Sequence, residues 1–337
     1  MRSGSATGRC GATSRSSFAH RSPSPGLART KSPVMLPHFV VAGAAKAGTT
    51  ALFEYLGQHP QLFLPHPKEP HYWAFGDMKL QVAPYGDGRT LSRRVVGNLA
   101  DYERLFDTAQ PGQVRGEAAP TTLYVERAAD RLAARLPEVR VLMMLRQPAD
   151  RAYSAYQFQR MRGFEPLSLT DALAAEDERV EAGWQHMYHY RRMGQYSAQV
   201  QRFVERFPAE QLHVIVYDDF VRDPLGVLKG VFGFLGVDDA FVPPRTPRPM
   251  LSGTPRLPLV ARMVSRPNVV RSLARSVVPR RFRPAVVAPL RKASVRRDPI
   301  DPTVWDELTA SFADDISQLE VLIDRDLSAW RRPRFAG

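Results

Sequence analysis

The apolar positions of this chain fall into short, strand-length runs separated by stretches with helical spacing. His38–Gly43 is rich in β-branched residues and has no polar alternation, the pattern of a strand covered on both faces. Thr50–Gln58 follows, with Leu52, Tyr55 and Leu56 at the spacing of one packed helix face and His59-Pro60 as its stop. Val139–Leu145, bounded by Pro137 and Pro148, predicts a second central strand, and Pro148 suits the first turn of a helix to about Arg162. Leu62–Leu64 reads as a short strand. Leu212–Tyr217 reads as another, between an amphipathic helix near Tyr188–Phe207 and a helix over Pro224–Leu235. Asp301-Pro302 opens a last helix to about Trp330. Alternation of this kind implies an α/β fold with a central parallel sheet flanked by helices on both faces.

Where the first strand meets the first helix, the chain reads Phe39-Val40-Val41-Ala42-Gly43-Ala44-Ala45-Lys46-Ala47-Gly48-Thr49-Thr50. A glycine-flanked turn that opens a helix cradles phosphate, because unpaired N–H groups and the helix dipole both favour an anion there. The sheet is therefore of P-loop type, yet the loop departs from G-x-x-x-x-G-K-[ST], in which lysine follows the second glycine and the next hydroxyl holds Mg²⁺. Gly43 and Gly48 keep the glycine spacing. Thr49 occupies the lysine position, and Lys46 lies two residues upstream of Gly48.

Composition bounds the class. The 337 residues are 44% hydrophobic and 24% charged, enough for a full globular core. No run approaches the ~18 consecutive apolar residues of a spanning helix, and no apolar segment follows the basic start as in a secretory signal. The lone Cys10 permits no intramolecular disulfide, so a reducing, cytoplasmic setting is expected.

The net charge of +13 is uneven: residues 1–34 hold six Lys/Arg and residues 240–297 hold fourteen, both without acids, and the remainder carries 27 basic against 34 acidic residues. Neither basic stretch interleaves aromatic residues as a base-stacking platform would, so no specific nucleic-acid partner is expected. Residues 1–34, rich in Ser, Arg, Gly and Pro, are expected to be a disordered basic leader, or Met35 is the true start. Residues 35–337 then form a single domain.

Three further positions invite chemistry. Glu69 lies in Pro65-His66-Pro67-Lys68-Glu69-Pro70-His71-Tyr72-Trp73, at the carboxyl end of the short strand, where ligands of open α/β sheets sit. It can take a proton from an acceptor, or simply pair with Lys68. Arg146 falls where a strand ends and Ser154 about two turns into the following helix. A guanidinium and a hydroxyl suit a phosphate, although an ion-paired arginine and a surface serine are the plainer readings of each alone. A triphosphate enzyme would more often place a metal-binding Asp at this strand end.

Together the Lys46 loop, Lys68-Glu69-Pro70-His71-Tyr72-Trp73 and Leu145-Arg146-x-Pro148-x-x-Arg151-x-Tyr153-Ser154-x-Tyr156 resemble the sulfotransferase family, in particular its heparan-sulfate-type branch and bacterial relatives. Gly116-Glu117-Ala118-Ala119-Pro120, Gly194-Gln195-Tyr196, Val216-Tyr217-Asp218-Asp219-Phe220 and Asp326-Leu327-Ser328-Ala329-Trp330 add to it. The likeness covers about residues 36–235 and returns near 300–330.

The resemblance implies sulfuryl transfer from 3′-phosphoadenosine 5′-phosphosulfate to a hydroxyl or amine, with a carbohydrate or glycolipid acceptor and no metal. By resemblance Lys46, Ala47, Gly48, Thr49 and Thr50 hold the 5′-phosphosulfate, and Arg146 with Ser154 holds the 3′-phosphate. Glu69 matches the branch's general base, His71 is a competing base used by other branches, and Lys68 contacts substrate or pairs with Glu69. Ala118 stands where eukaryotic members of the branch carry lysine, so the acceptor does not carry over from them.

Residues 240–297 interrupt the likeness as a basic Pro/Arg-rich insert or lid. It either covers the donor, with Arg291, Lys292, Arg296 and Arg297 as candidates, or rests through 255–290 on a membrane bearing a glycolipid, making the protein peripheral. Two other classes fit parts of the pattern. One is a P-loop kinase of a small molecule, against which Thr49 and Arg146 argue. The other is a basic, non-enzymatic binding protein on the same fold. Oligomeric state has no signature in the sequence.

Overall fold

Alternate residues of the first strand enter different cores. In β1 (Phe39–Gly43), Val40 and Ala42 belong to one buried apolar cluster and Phe39 and Val41 to another, because successive strand side chains point to opposite faces. A computed structural model describes residues 35–78, 91–247, 254–255, 295–296 and 300–332. Five parallel strands form the sheet in the order β2-β3-β1-β4-β5, with β2 at Leu62–Phe63, β3 at Val114–Ala118, β4 at Arg140–Leu145 and β5 at Leu212–Val216. β4 alternates as β1 does: Val141, Met143 and Leu145 join the first cluster, Leu142 and Met144 the second.

Helices cover both faces, as expected. On the second face lie α1 (Thr49–Leu56), through Leu52, Phe53, Tyr55 and Leu56, and a later helix, Pro224–Leu235, through Leu228, Val231, Phe232 and Leu235. Against the first face pack α2 (Tyr72–Phe75), α3 (Thr121–Tyr124), α4 (Arg127–Arg135), α5 (Pro148–Met161) and α6 (Ser197–Val204). Pro148 begins α5, its missing N–H costing nothing there, and the Gln147 side chain accepts the Asp150 N–H at 2.6 Å.

β3 is absent from the hydrophobic pattern. Its sequence Val-Arg-Gly-Glu-Ala carries too few apolar residues to register as a buried run. Gly116 lies beside Phe39, whose ring would be struck by any Cβ at that position, so the glycine that weakens the strand signal is what lets β3 pair with β1.

Two expected helices are broken. Tyr188–Phe207 is two 3₁₀ turns, His186–Tyr188 and Arg192–Gly194, followed by α6. Glu176 is the cause: its carboxylate accepts the N–H groups of Arg191 (2.8 and 3.0 Å) and Arg192 (2.9 Å), withdrawing them from a helical ladder. Asp315 then takes the N–H groups of Tyr196 and Ser197 at 2.6 and 3.0 Å, so α6 starts afresh. The C-terminal helix is Pro302–Ala310 and Ala313–Ile323, closed by Asp324 in the left-handed region (φ 48°), with a 3₁₀ turn at Ser328–Arg331.

Residues 1–34, with their expected leader, lie outside the described residues, as does most of 240–297, including Arg291, Lys292, Arg297 and the membrane contact expected of 255–290. Within that insert Thr254–Pro255 pairs antiparallel with Val295–Arg296. Among the described residues no helix is long and apolar enough to cross a membrane.

Candidate active site

Parallel strands place all their carboxyl ends along one edge, and the candidate residues gather there. The loop after β1 hooks over β4: the Ala44 N–H donates to the Met144 carbonyl at 2.7 Å, and the Ala47 N–H to that of Ala44 at 3.2 Å. Lys46 (φ 70°) and Gly48 (φ 102°) both take the left-handed conformation to turn the chain into α1. At Gly48 a Cβ would stand 2.9 Å from the Tyr217 ring and 3.0 Å from Met144. The first α-helical bond here runs from Leu52 N–H to Gly48 (3.2 Å), and no side chain caps the helix start. The N–H groups of the first turn therefore remain available to an anion.

Lys46 is half-buried, and its Nζ lies 4.3 Å from the centre of the Phe158 ring. Among the described residues the ammonium makes no hydrogen bond or ion pair. Its pKa is lowered to about 8, first by burial and then by the positive charges of Arg146 and Arg151, against a smaller opposing pull from Glu69.

Arg146 is the first residue beyond β4. It donates to the Lys46 carbonyl at 3.4 Å, lies 4.8 Å over the Tyr217 ring, stands 3.7 Å from Asp150 and keeps its buried Nε without a partner. The Tyr196 hydroxyl holds the Arg146 carbonyl at 3.0 Å. The loop and Arg146 are thus joined directly. Ser154 lies on α5, half-buried, with no side-chain hydrogen bond among the described residues.

The segment after β2 brings the remaining candidates to the same place. Lys68 Nζ donates to Thr50 Oγ1 at 3.0 Å, lies 3.5 Å from Thr49 Oγ1 and stands 3.3 Å from Glu69 Oε1. One ammonium therefore makes the pairing expected with Glu69 and also latches that segment to the start of α1. Burial lowers the Lys68 pKa, with Glu69 opposing.

Glu69 (φ 67°) and His71 (φ 54°) repeat the left-handed backbone of Lys46, so strained non-glycine residues collect at this edge. His71 is buried, its Nδ1 lies 2.9 Å from Thr121 Oγ1, and its Nε2 lies 4.0 Å from Glu69 Oε2. Burial, reinforced by Arg94 and Lys68, lowers its pKa to about 4, so the ring is neutral near pH 7.

Lys46, Thr49, Thr50, Glu69, His71 and Thr121 line one cavity of about 330 Å³, whereas Lys68, Arg146 and Ser154 are not among its lining residues. Phe158 and Arg162, not among the residues expected from sequence, line it too. Their signal was present: Ser154, Phe158 and Arg162 recur at i, i+4 and i+8 along one helix face. Glu117 is fully buried on β3, with neither carboxylate oxygen partnered among the described residues. Burial, and the charge of Glu69, push its pKa up to about 8. Ala118 is buried in the second apolar cluster.

Lys46, whose ammonium makes no hydrogen bond or ion pair among the described residues, thus shares a cavity with the Glu69 carboxylate, and Arg146 is bonded to the loop that carries Lys46. A crystallised sulfotransferase from Alicyclobacillus acidocaldarius is 33% identical, with a TM-score of 0.70 over 88% of this chain and 99% of that one. Human heparan sulfate glucosamine 3-O-sulfotransferase 6 is 26% identical over 229 residues, 66% of this chain and 59% of the relative. Bifunctional heparan sulfate N-deacetylase/N-sulfotransferase 1 of Xenopus laevis is 26% identical over 211 residues, 60% of this chain and 22% of the relative. The chain thus spans less than two thirds of these curated relatives. Residues 37–241 match the Sulfotransferase family throughout the strands and loops that build the site, and the chain belongs to that family.

Proposed function

We propose that this sulfotransferase moves a sulfuryl group from 3′-phosphoadenosine 5′-phosphosulfate to a hydroxyl or amine of a carbohydrate acceptor. The observation that carries the reading is that Lys46, with its ammonium uncommitted, and Glu69 line the same cavity. The residues suit such a donor: the first turn of α1 and Lys46 offer N–H groups for a 5′-phosphosulfate, and Arg146 retains an unpartnered buried Nε. Ser154 is assigned with Arg146 to the 3′-phosphate. When bound, the donor supplies an electrophilic sulfur and an adenosine 3′,5′-bisphosphate leaving group.

Glu69 removes the acceptor proton as the acceptor oxygen or nitrogen bonds to sulfur and the sulfur–oxygen bond to the 5′-phosphate breaks. Lys46 meets the charge that develops on the departing phosphate oxygen. Lys68, between Thr50 and Glu69, sets the two sides of the cavity at a fixed separation. His71, neutral and bound to Thr121, holds the wall beside Glu69. The heparan sulfate activities named for the relatives support a glycan acceptor.

The test is calorimetric binding of adenosine 3′,5′-bisphosphate against ATP, with and without Mg²⁺. Metal-independent preference for the bisphosphate is expected. Preference for Mg-ATP would overturn the assignment in favour of a kinase.

A further inference from the structure

The lysine of the phosphate loop is held by an aromatic face rather than by an acid. Lys46 Nζ lies 4.3 Å from the Phe158 centroid, and the guanidinium of Arg162 lies 5.2 Å from the same ring and 4.7 Å from that of Phe164. Phe158 sits on α5 one turn beyond Ser154, and Lys46, Phe158 and Arg162 all line the cavity.

We infer that Phe158 is a positioning residue for the donor: its ring face fixes the Lys46 ammonium at the phosphate loop while leaving all three of its N–H groups for the ligand. The role rests on the donor assignment above. A carboxylate in this place would neutralise the lysine and have to be displaced by the incoming anion. A ring attracts the cation through its quadrupole, uses no N–H, and carries no charge to repel a phosphosulfate.

The surroundings make such a contact necessary. Among the described residues Arg146, Arg151 and Lys68 repel the Lys46 charge and Glu69 attracts it, so burial and like charges push the ammonium toward losing its proton. A π face opposes that loss and directs the side chain. Desolvation puts the contact toward the strong end of the range for such pairs.

The experiment compares the parent with Phe158→Leu, which keeps apolar bulk without a ring, and with Phe158→Tyr, which keeps the ring. Two quantities are read: calorimetric affinity for adenosine 3′,5′-bisphosphate, and the pH dependence of chemical modification at Lys46, followed by mass spectrometry. In Phe158→Leu affinity should fall by about five- to thirty-fold, and Lys46 should titrate about one pH unit lower, while Phe158→Tyr restores both. Phe158→Met serves the same purpose should the Leu variant not fold.

Equal losses in the Leu and Tyr variants with Lys46 titration unmoved would reduce Phe158 to packing and overturn the inference. So would parental behaviour in the Leu variant. A parent that fails to bind the bisphosphate, while the Lys46 titration still moves in Phe158→Leu, would overturn the donor assignment and the role built on it, leaving only the contact.

Discussion

The backbone N–H of Glu69 donates to the carbonyl of Ala118 at 3.1 Å, so the main chain of the segment that carries Glu69 is tied to the end of β3. With φ at 67° Glu69 is placed by its backbone, and its carboxylate is carried as a consequence. A change confined to the carboxylate leaves that tether whole.

Glu69→Gln should therefore bind adenosine 3′,5′-bisphosphate as the parent does and lose about 10²- to 10⁴-fold in kcat. His71→Ala, which removes a neutral ring bonded to Thr121, should cost less. Steady-state kinetics beside calorimetry check both. The opposite ranking would make His71 the base.

Donor affinity should depend on pH through Lys46. Its pKa of about 8 means the ammonium is present below that pH and lost above it. Binding of the bisphosphate should be flat on the acid side of pH 8 and weaken above it, approaching tenfold per pH unit, provided the ligand phosphates are already ionised. Calorimetry across that range reads the slope, and Lys46→Met should flatten it.

Gly48→Ala should destabilise the fold and impair binding together. The left-handed φ of 102° and the 2.9 Å approach of a Cβ to Tyr217 leave no relaxed position for a methyl group. A loss of about 1–3 kcal/mol is expected, read as a lower urea midpoint at unchanged slope.

Glu117 gives stability a pH dependence of definite sign. A carboxyl whose pKa rises from 4.5 to about 8 on folding is protonated in both states at acid pH and must stay protonated while the unfolded chain ionises at higher pH. Stability is therefore lost as pH climbs from 4.5 toward 8, at up to about 1.4 kcal/mol per pH unit. Glu117→Gln removes the titration, so its stability relative to the parent should grow between pH 5 and 8. Parallel denaturation curves at the two pH values would refute the burial of an unpartnered acid.

The Lys46 loop and Arg146 were legible because their signals are local in sequence: Gly43, Lys46, Gly48 and Thr49 define a turn, and Arg146 follows an apolar strand. The placement of Glu69 depends on β3, which carries Gly116 and Glu117 where a hydrophobic pattern would need apolar residues, so no periodicity announces that Ala118 anchors Glu69. The broken helices were hidden for a similar reason. Glu176 and Asp315 take backbone N–H groups from residues far along the chain, and nothing in the local pattern of Tyr188–Phe207 records those bonds. Phe158 was passed over because an aromatic at helical spacing reads as core. The difference lies in what it faces.

The strand order divides the labour of the site. β1 and β4 deliver the Lys46 loop, Arg146 and α5, while β2 and β3, on the other side of β1, deliver Lys68, Glu69 and Thr121. Under the proposed assignment, donor chemistry and acceptor choice fall to separate halves that share the sheet's apolar cores and are bonded to each other by Lys68 and Thr50. An exchange of the β2–β3 half between relatives could then retune which nucleophile is served while leaving the sulfate donor untouched, and Lys68 is the residue such a transplant must bring along.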